Sequence, residues 1–105
     1  MNKAKSNRKL QKQLDTQWKI NVRKHWNNKC AVWGKTNCKL DCHHIVSRSI
    51  KELRHDVLNG ILLCSGCHLF NRKLSAHKGS LLFIDWLSKN YTGGYAYLIA
   101  KLGEI

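Results

Sequence analysis

Two histidines stand side by side at positions 43 and 44, and a third, His68, follows directly behind the pair Cys64 and Cys67. Cys30, Cys38 and Cys42 complete a set of five cysteines. Thiolates and neutral imidazoles are the side chains that hold zinc and related transition metals. Cys64-x-x-Cys67 can grip one zinc from a tight turn, and a structural tetrahedral site wants two more ligands. Cys30 is the best third ligand because it begins the other turn. Cys38 leads for the fourth, with Cys42 as the weaker alternative. The imidazoles point to a second, catalytic metal site, distinct from the cysteine site, formed where the zinc staple brings His68 towards His43 and His44. The plainer reading makes Cys38 and Cys42 small buried core residues and the histidine pair ordinary surface residues.

The chain around these residues is short and strongly basic. Its 105 residues suggest a single domain with a modest core, a size at which a metal staple is often needed. The net charge is +13, from 19 Lys and Arg against 6 Asp and Glu, which favours a polyanionic partner, nucleic acid first. No apolar run approaches the roughly 20 residues that span a bilayer, so no membrane partner is expected. The N-terminus is polar and lysine-rich without a signal-peptide apolar region. A cytoplasmic location is the expectation, and an odd cysteine count in such a compartment argues for metal ligation over disulfides.

The elements that must position the site follow from periodicity. Residues 1–9 are basic without apolar periodicity and are expected to fray. Residues 7–27 carry Leu10, Leu14, Trp18, Val22 and Trp26 at every fourth position, an amphipathic helix with Lys12, Lys19, Arg23 and Lys24 largely off the stripe. That basic face is either simply solvated or follows nucleic-acid phosphates. A tight turn around Gly34 leads to a strand over residues 38–45, with Leu40 and Cys42 facing a core. A polar loop spans 46–58, and a second short strand is entered through an Asn59-Gly60 turn. A helix over 65–77 carries Leu69, Phe70 and Leu74 inward. Ser80 is a plausible N-cap for a helix whose Leu82, Phe83, Trp86 and Leu87 share a face. Residues 92–94 (TGG) break the chain, and a last helix carries Tyr95, Leu98, Ile99 and Leu102. The expected fold class is α+β: mostly helical, with one short antiparallel hairpin packed on a helix and stapled by zinc.

"LDCHHIVSRS", "VLNGILLC" and "CSGCHLFNRK", in this order, resemble the HNH nucleases of the ββα-metal type, and most of all the small zinc-knuckle HNH proteins, many of them encoded by phages. The resemblance covers about residues 30–73. It implies a single HNH nuclease domain over 1–105, with a basic N-terminal helix at 1–28, a ββα-metal core at 30–74 and C-terminal helices at 80–105. It implies that His44 is the general base that takes a proton from the attacking water. His43 and His68 would hold one catalytic divalent metal (Mg, Mn, Ni or Zn), with Asn71 as a supporting ligand. Asn59 would be structural, its amide fixing the loop that carries the base. The structural zinc would use Cys30, Cys38, Cys64 and Cys67. Two positions depart from the pattern: Trp33 stands where the first knuckle has its second cysteine, and Ser47 where a proline is often found.

The implied activity is metal-dependent hydrolysis of DNA phosphodiester bonds. One site per chain suggests nicking, and a homodimer would allow double-strand cleavage. Docking within a larger phage DNA-processing complex, in the host cytoplasm, fits the same resemblance. Arg48, Arg72 and Lys73, and also Arg54, lie near the motif as phosphate contacts, which set affinity and not sequence choice. Adjacent strand residues face opposite ways, so His43 and His44 are expected to share one cleft with His68 by leaving regular strand geometry near Ile45. The alternative is a non-catalytic zinc-stapled nucleic-acid-binding protein. It accounts for the charge and cysteines but leaves His43, His44, Asn59 and His68 without a joint role.

Overall fold

The structure, a computed structural model, describes residues 3–34, 36, 38–64 and 80–105. The first element, α1, is Lys3–His25. It starts well before residue 7, so the basic segment expected to fray is helical from Lys3. The physical reason is propensity: residues 3–25 contain no glycine and are rich in Lys, Arg, Gln and Leu, all good helix formers. The last turn carries Arg23, Lys24 and His25, which suit the negative end of the helix dipole. Asn27 and Asn28 then take left-handed φ values of 55° and return their N–H groups to Lys24 and Arg23 carbonyls at 3.0 and 2.9 Å. Asparagine tolerates that conformation better than most residues.

The apolar stripe of α1 is used over only part of its length. Trp18 and Val22 are buried, but Leu10 and Leu14 are 55% and 43% exposed. A 23-residue helix is about 35 Å long, while a five-residue strand reaches about 17 Å. The hairpin covers the C-terminal half of the helix, and residues 3–14 extend beyond it with every side chain exposed.

The hairpin pairs β1, Leu40–His44, antiparallel to β2, Gly60–Cys64, with His43 opposite Ile61 and His44 opposite Gly60. All five residues of β2 are buried. The entry into β2 is not an Asn-Gly hairpin turn. A 3₁₀ turn at Val57–Asn59, capped by Asp56 Oδ1 on the Leu58 N–H (3.0 Å), delivers Gly60 at an extended φ of −122°. Glycine is required there for space: a Cβ would lie 2.2 Å from Val22 Cγ2 and 3.0 Å from Trp18 Cζ2. This close approach seats α1 on the hairpin.

A second layer packs on the hairpin. Cys30, Ile61, Leu63 and Cys64 form a buried cluster with Phe83 and Leu87 of α2, Ser80–Asn90. Leu40 joins this cluster, while Cys42 turns its thiol to the Lys19 carbonyl at 3.5 Å on the α1 side. Of the face expected on α2, Phe83 and Leu87 are buried and Trp86 half-buried, but Leu82 is 51% exposed. Residues 92–94 do not break the chain: they open α3, Thr92–Glu104, and the break is confined to Tyr91. Gly94 permits this, because its missing Cβ would fall inside the Tyr91 ring. On α3, Leu98 is buried and Tyr95 half-buried, whereas Ile99 and Leu102 are exposed. The α+β class stands, with one two-stranded sheet among the described residues. No described helix is long and apolar enough to cross a membrane.

Candidate active site

The loop between the strands is organised around one side chain. Asn59 is fully buried. Its Oδ1 accepts from the Val46 N–H at 2.6 Å, and its Nδ2 donates to the carbonyls of Val46 and Leu53, both at 3.0 Å. Its backbone carbonyl accepts from Ile45 N–H at 3.1 Å, extending the β pairing by one step. A buried amide that satisfies three backbone groups gives residues 46–53 one shape, since releasing it would leave those groups without partners.

That loop presents the carbonyl of Arg54 to His44 Nε2 at 2.9 Å. A carbonyl only accepts, so Nε2 carries the proton and Nδ1 keeps its lone pair. The imidazole is half-buried and stacks on the Trp18 indole, with ring centroids 3.9 Å apart and planes 4° from parallel. Burial pushes its pKa below the ordinary histidine range, against a smaller upward pull from the Arg54 carbonyl. His44 is therefore a neutral base at pH 7, of fixed tautomer and fixed plane.

The neighbourhood of that carbonyl is tied to α1. Asp15 accepts two bonds from the Arg54 guanidinium, Nε to Oδ1 at 2.9 Å and Nη2 to Oδ2 at 2.8 Å. His55 Nε2 also lies 2.7 Å from Asp15 Oδ1. The Arg54 hydrogen bonds, with lesser help from His55, hold the Asp15 carboxyl at a pKa of about 2. Arg54 is thus committed to an intramolecular ion pair, which corrects its expected place among the phosphate contacts. Trp18 donates its Nε1–H to the Asp56 carbonyl at 2.8 Å, and Tyr97 Oη donates to Asp56 Oδ2. Sequence reasoning missed Asp15 and the Arg54 main chain, and took Trp18 only as part of a packing stripe. The one readable signal was the single acidic residue in the first 40 positions, Asp15.

His43 sits differently. β1 is regular strand through His44 and the chain bends only from Ile45, so the expected departure comes after both histidines and leaves them alternating. Side chains alternate: His44 leaves the face that meets Trp18, and His43 leaves the other. His43 is half-buried, with its Nε2 shielded from solvent. Arg48 is exposed beside a turn in which the Ser49 N–H reaches Ser47 Oγ at 3.2 Å.

Cys67, His68, Asn71, Arg72 and Lys73 lie outside the described residues, as do His77 and the helix expected over 65–77. Among the described residues, no three His, Cys, Asp or Glu side chains gather into a metal-binding set. Both expected sets draw members from 65–79, the catalytic one through His68 and Asn71, the zinc one through Cys67. Of the three described zinc candidates, Cys30 and Cys64 are buried and Cys38 packs on the same cluster. Cys42, the weaker alternative, is directed at α1, and burial raises its thiol pKa. Trp33, at the departed knuckle position, is 55% exposed.

A family comparison bears directly on this arrangement, in which a strand-end histidine is aimed by a loop that a buried asparagine clamps. Residues 29–73 match the family model of the HNH endonuclease. The HNH segment thus begins after α1, takes in both strands and the clamped loop, and ends at a residue outside those described. Neither a curated protein nor a solved structure matches the chain. The HNH match supports a nuclease, a class that generally uses a divalent metal. It also locates His44 and Asn59 inside the matched segment, and Trp18 and Asp15 outside it.

Proposed function

We propose that the protein is a metal-dependent endonuclease that hydrolyses DNA phosphodiester bonds, with His44 as general base. The observation that carries this reading is the fixed tautomer of His44: Nε2–H spent on the Arg54 carbonyl, Nδ1 left as an acceptor, in a loop clamped by Asn59. A neutral imidazole suits proton removal from water near pH 7. In the proposed step, Nδ1 accepts a proton as the water oxygen attacks phosphorus in line. The bond to the 3′ oxygen breaks, leaving a 5′-phosphate and a 3′-hydroxyl, the departing oxygen taking its proton from solvent.

His43 and His68, with Asn71 in support, are the proposed holders of the divalent metal. Bound there, the metal supplies Lewis-acid stabilisation of charge on the departing oxygen. The opposite facing of His43 and His44 limits where the phosphate can sit. β1 pairs with β2 along one edge, and from α1 the Arg23 guanidinium donates to the Leu40 carbonyl at 3.1 Å. Exposed Arg48, with Arg72 and Lys73, would contact flanking phosphates. Cys30, Cys38, Cys64 and Cys67 are the proposed structural zinc set, tying the hairpin to the chain beyond Cys64. One site per chain predicts nicking by a monomer, and double-strand cleavage by a homodimer or by two successive events.

The test is a supercoiled-plasmid nicking assay with Mg²⁺, Mn²⁺, Ni²⁺ and Zn²⁺, run on wild type and His44→Ala. Metal-dependent conversion to open circles by wild type alone is the expected result. Retention of the wild-type rate by a folded His44→Ala protein removes His44 as the base. Binding without nicking under every metal favours a non-catalytic binding module.

A further inference from the structure

Two side chains of α1 converge on the groups that orient His44, and neither belongs to the HNH segment. Trp18 lies flat against the imidazole at 3.9 Å. Its own plane is held, because the indole Nε1–H is bonded to the Asp56 carbonyl at 2.8 Å and the residue is buried against the hairpin. Asp15 grips Arg54 bidentately and also meets His55, so it holds both the residue whose carbonyl receives Nε2–H and its neighbour. The imidazole is therefore gripped twice. A stacking partner sets its plane, and an acceptor of fixed position sets its tautomer. Both grips trace back to one helical turn, because Asp15 and Trp18 are three positions apart and share a face.

We infer that Trp18 and Asp15 are positioning residues for the general base, so that the N-terminal helix adds a second grip to the one that the Asn59-clamped loop of the HNH segment already gives His44. This deepens the nuclease reading and rests on it. Trp18 acts through the imidazole: stacked on it at 3.9 Å, it restricts rotation of the His44 ring about its side-chain torsions. Asp15 acts one step further out, through the main chain at Arg54. A purely structural account of the same contacts predicts that their loss lowers stability alone. The positioning account predicts in addition that the tautomer of His44 becomes mixed and that turnover falls while substrate affinity holds, since no phosphate contact is removed.

The experiment uses the full chain and four variants: Trp18→Leu, Trp18→Phe, Asp15→Asn and His44→Ala. Leucine keeps apolar bulk but not the flat ring or the N–H; phenylalanine restores the ring. Two readouts are taken below each variant's melting temperature. Long-range ¹H–¹⁵N spectra report the His44 tautomer and the ring-current displacement of its carbon-bound protons, independently of activity. Plasmid nicking at varied DNA concentration separates kcat from KM. For folded Trp18→Leu, the displacement is lost, the tautomer is mixed, and kcat falls about 10- to 100-fold at near-constant KM, part of the roughly 10²–10⁴-fold that a general base supplies. Trp18→Phe recovers most of that loss. Asp15→Asn, half-exposed and so the safer variant for folding, mixes the tautomer and lowers kcat to a smaller extent. Wild-type kcat and an undisturbed tautomer in folded Asp15→Asn and in either Trp18 variant, with His44→Ala inactive, overturn the positioning role and leave the base assignment standing. Wild-type nicking by His44→Ala overturns both.

Discussion

Replacing Asn59 by aspartate probes the clamp with almost no change of shape. The variant keeps an oxygen facing the Val46 N–H but loses the donor that serves the carbonyls of Val46 and Leu53. The bond to Leu53 is buried and the one to Val46 partly so. An orphaned buried acceptor costs about 1–3 kcal/mol, so the two together come to about 2–5 kcal/mol, with the Val46 carbonyl at the low end. A carboxylate facing two carbonyl oxygens in a fully buried site adds to that while it stays ionised. Against a total of about 5–15 kcal/mol for a chain of this size, the variant stands near the limit of folding. Urea unfolding followed by tryptophan fluorescence at pH 7 measures the loss directly. The pH dependence gives a second check. Burial raises the folded-state pKa of the new carboxyl above its unfolded value, so the folded state binds the extra proton and the deficit shrinks as pH falls through that raised pKa. An Asn59→Asp midpoint indistinguishable from wild type at pH 7 would mean that the amide does not hold the loop.

Three further outcomes test other parts of the structure. Gly60→Ala needs no unusual φ, so its cost is steric: the new Cβ meets Val22 at 2.2 Å, and over-packing of this kind costs about 1–3 kcal/mol; a Val22→Ala background should recover part of it, and a melting temperature equal to wild type in the single variant would unseat α1 from the hairpin. Asp15, held at about 2 by Arg54 and then His55, contributes stability above the unfolded carboxylate pKa that is lost as pH falls from there towards 2. Asp15→Asn should lack that acid-side loss, on the order of 1 kcal/mol after solvent screening, in unfolding curves between pH 5 and 2, where about 4 is the unfolded pKa. Changing Lys5, Arg8, Lys9 and Lys12 of the exposed half of α1 to glutamine in a His44→Ala background should flatten the salt dependence of duplex binding by about 3–4 in log–log slope if each meets a phosphate; fluorescence anisotropy showing an unaltered slope would put the phosphate contacts elsewhere.

The elements carrying the site were readable because their signals are local. Trp18, Val22 and Trp26 recur at helical spacing, "GILLC" is a short apolar run bounded by turn residues, and Gly34 marks its turn with a φ of 67°. Three details were misread where a local rule met a tertiary one. Gly60 looked like a turn glycine and is a packing glycine. Residues 92–94 looked like a break and open a helix, because Gly94 makes room for the Tyr91 ring. Arg54 looked like a phosphate contact and is bound by Asp15, a partner 39 residues away in the chain that no spacing rule connects to it.

Composition and motif order alone established a basic chain, an imidazole pair at the end of a strand, and an asparagine opening the next one, a pattern that resembles the HNH nucleases. They led to the expectation that both imidazoles share one cleft, whereas the regular strand alternates them, and they left undecided which nitrogen of His44 carries its proton. The two tautomers of a free imidazole differ little in energy, so the choice belongs to whatever partner the fold supplies. Here it is the Arg54 carbonyl, placed by Asn59 from one side and by α1 from the other, and such a partner exists only once the chain has closed on itself.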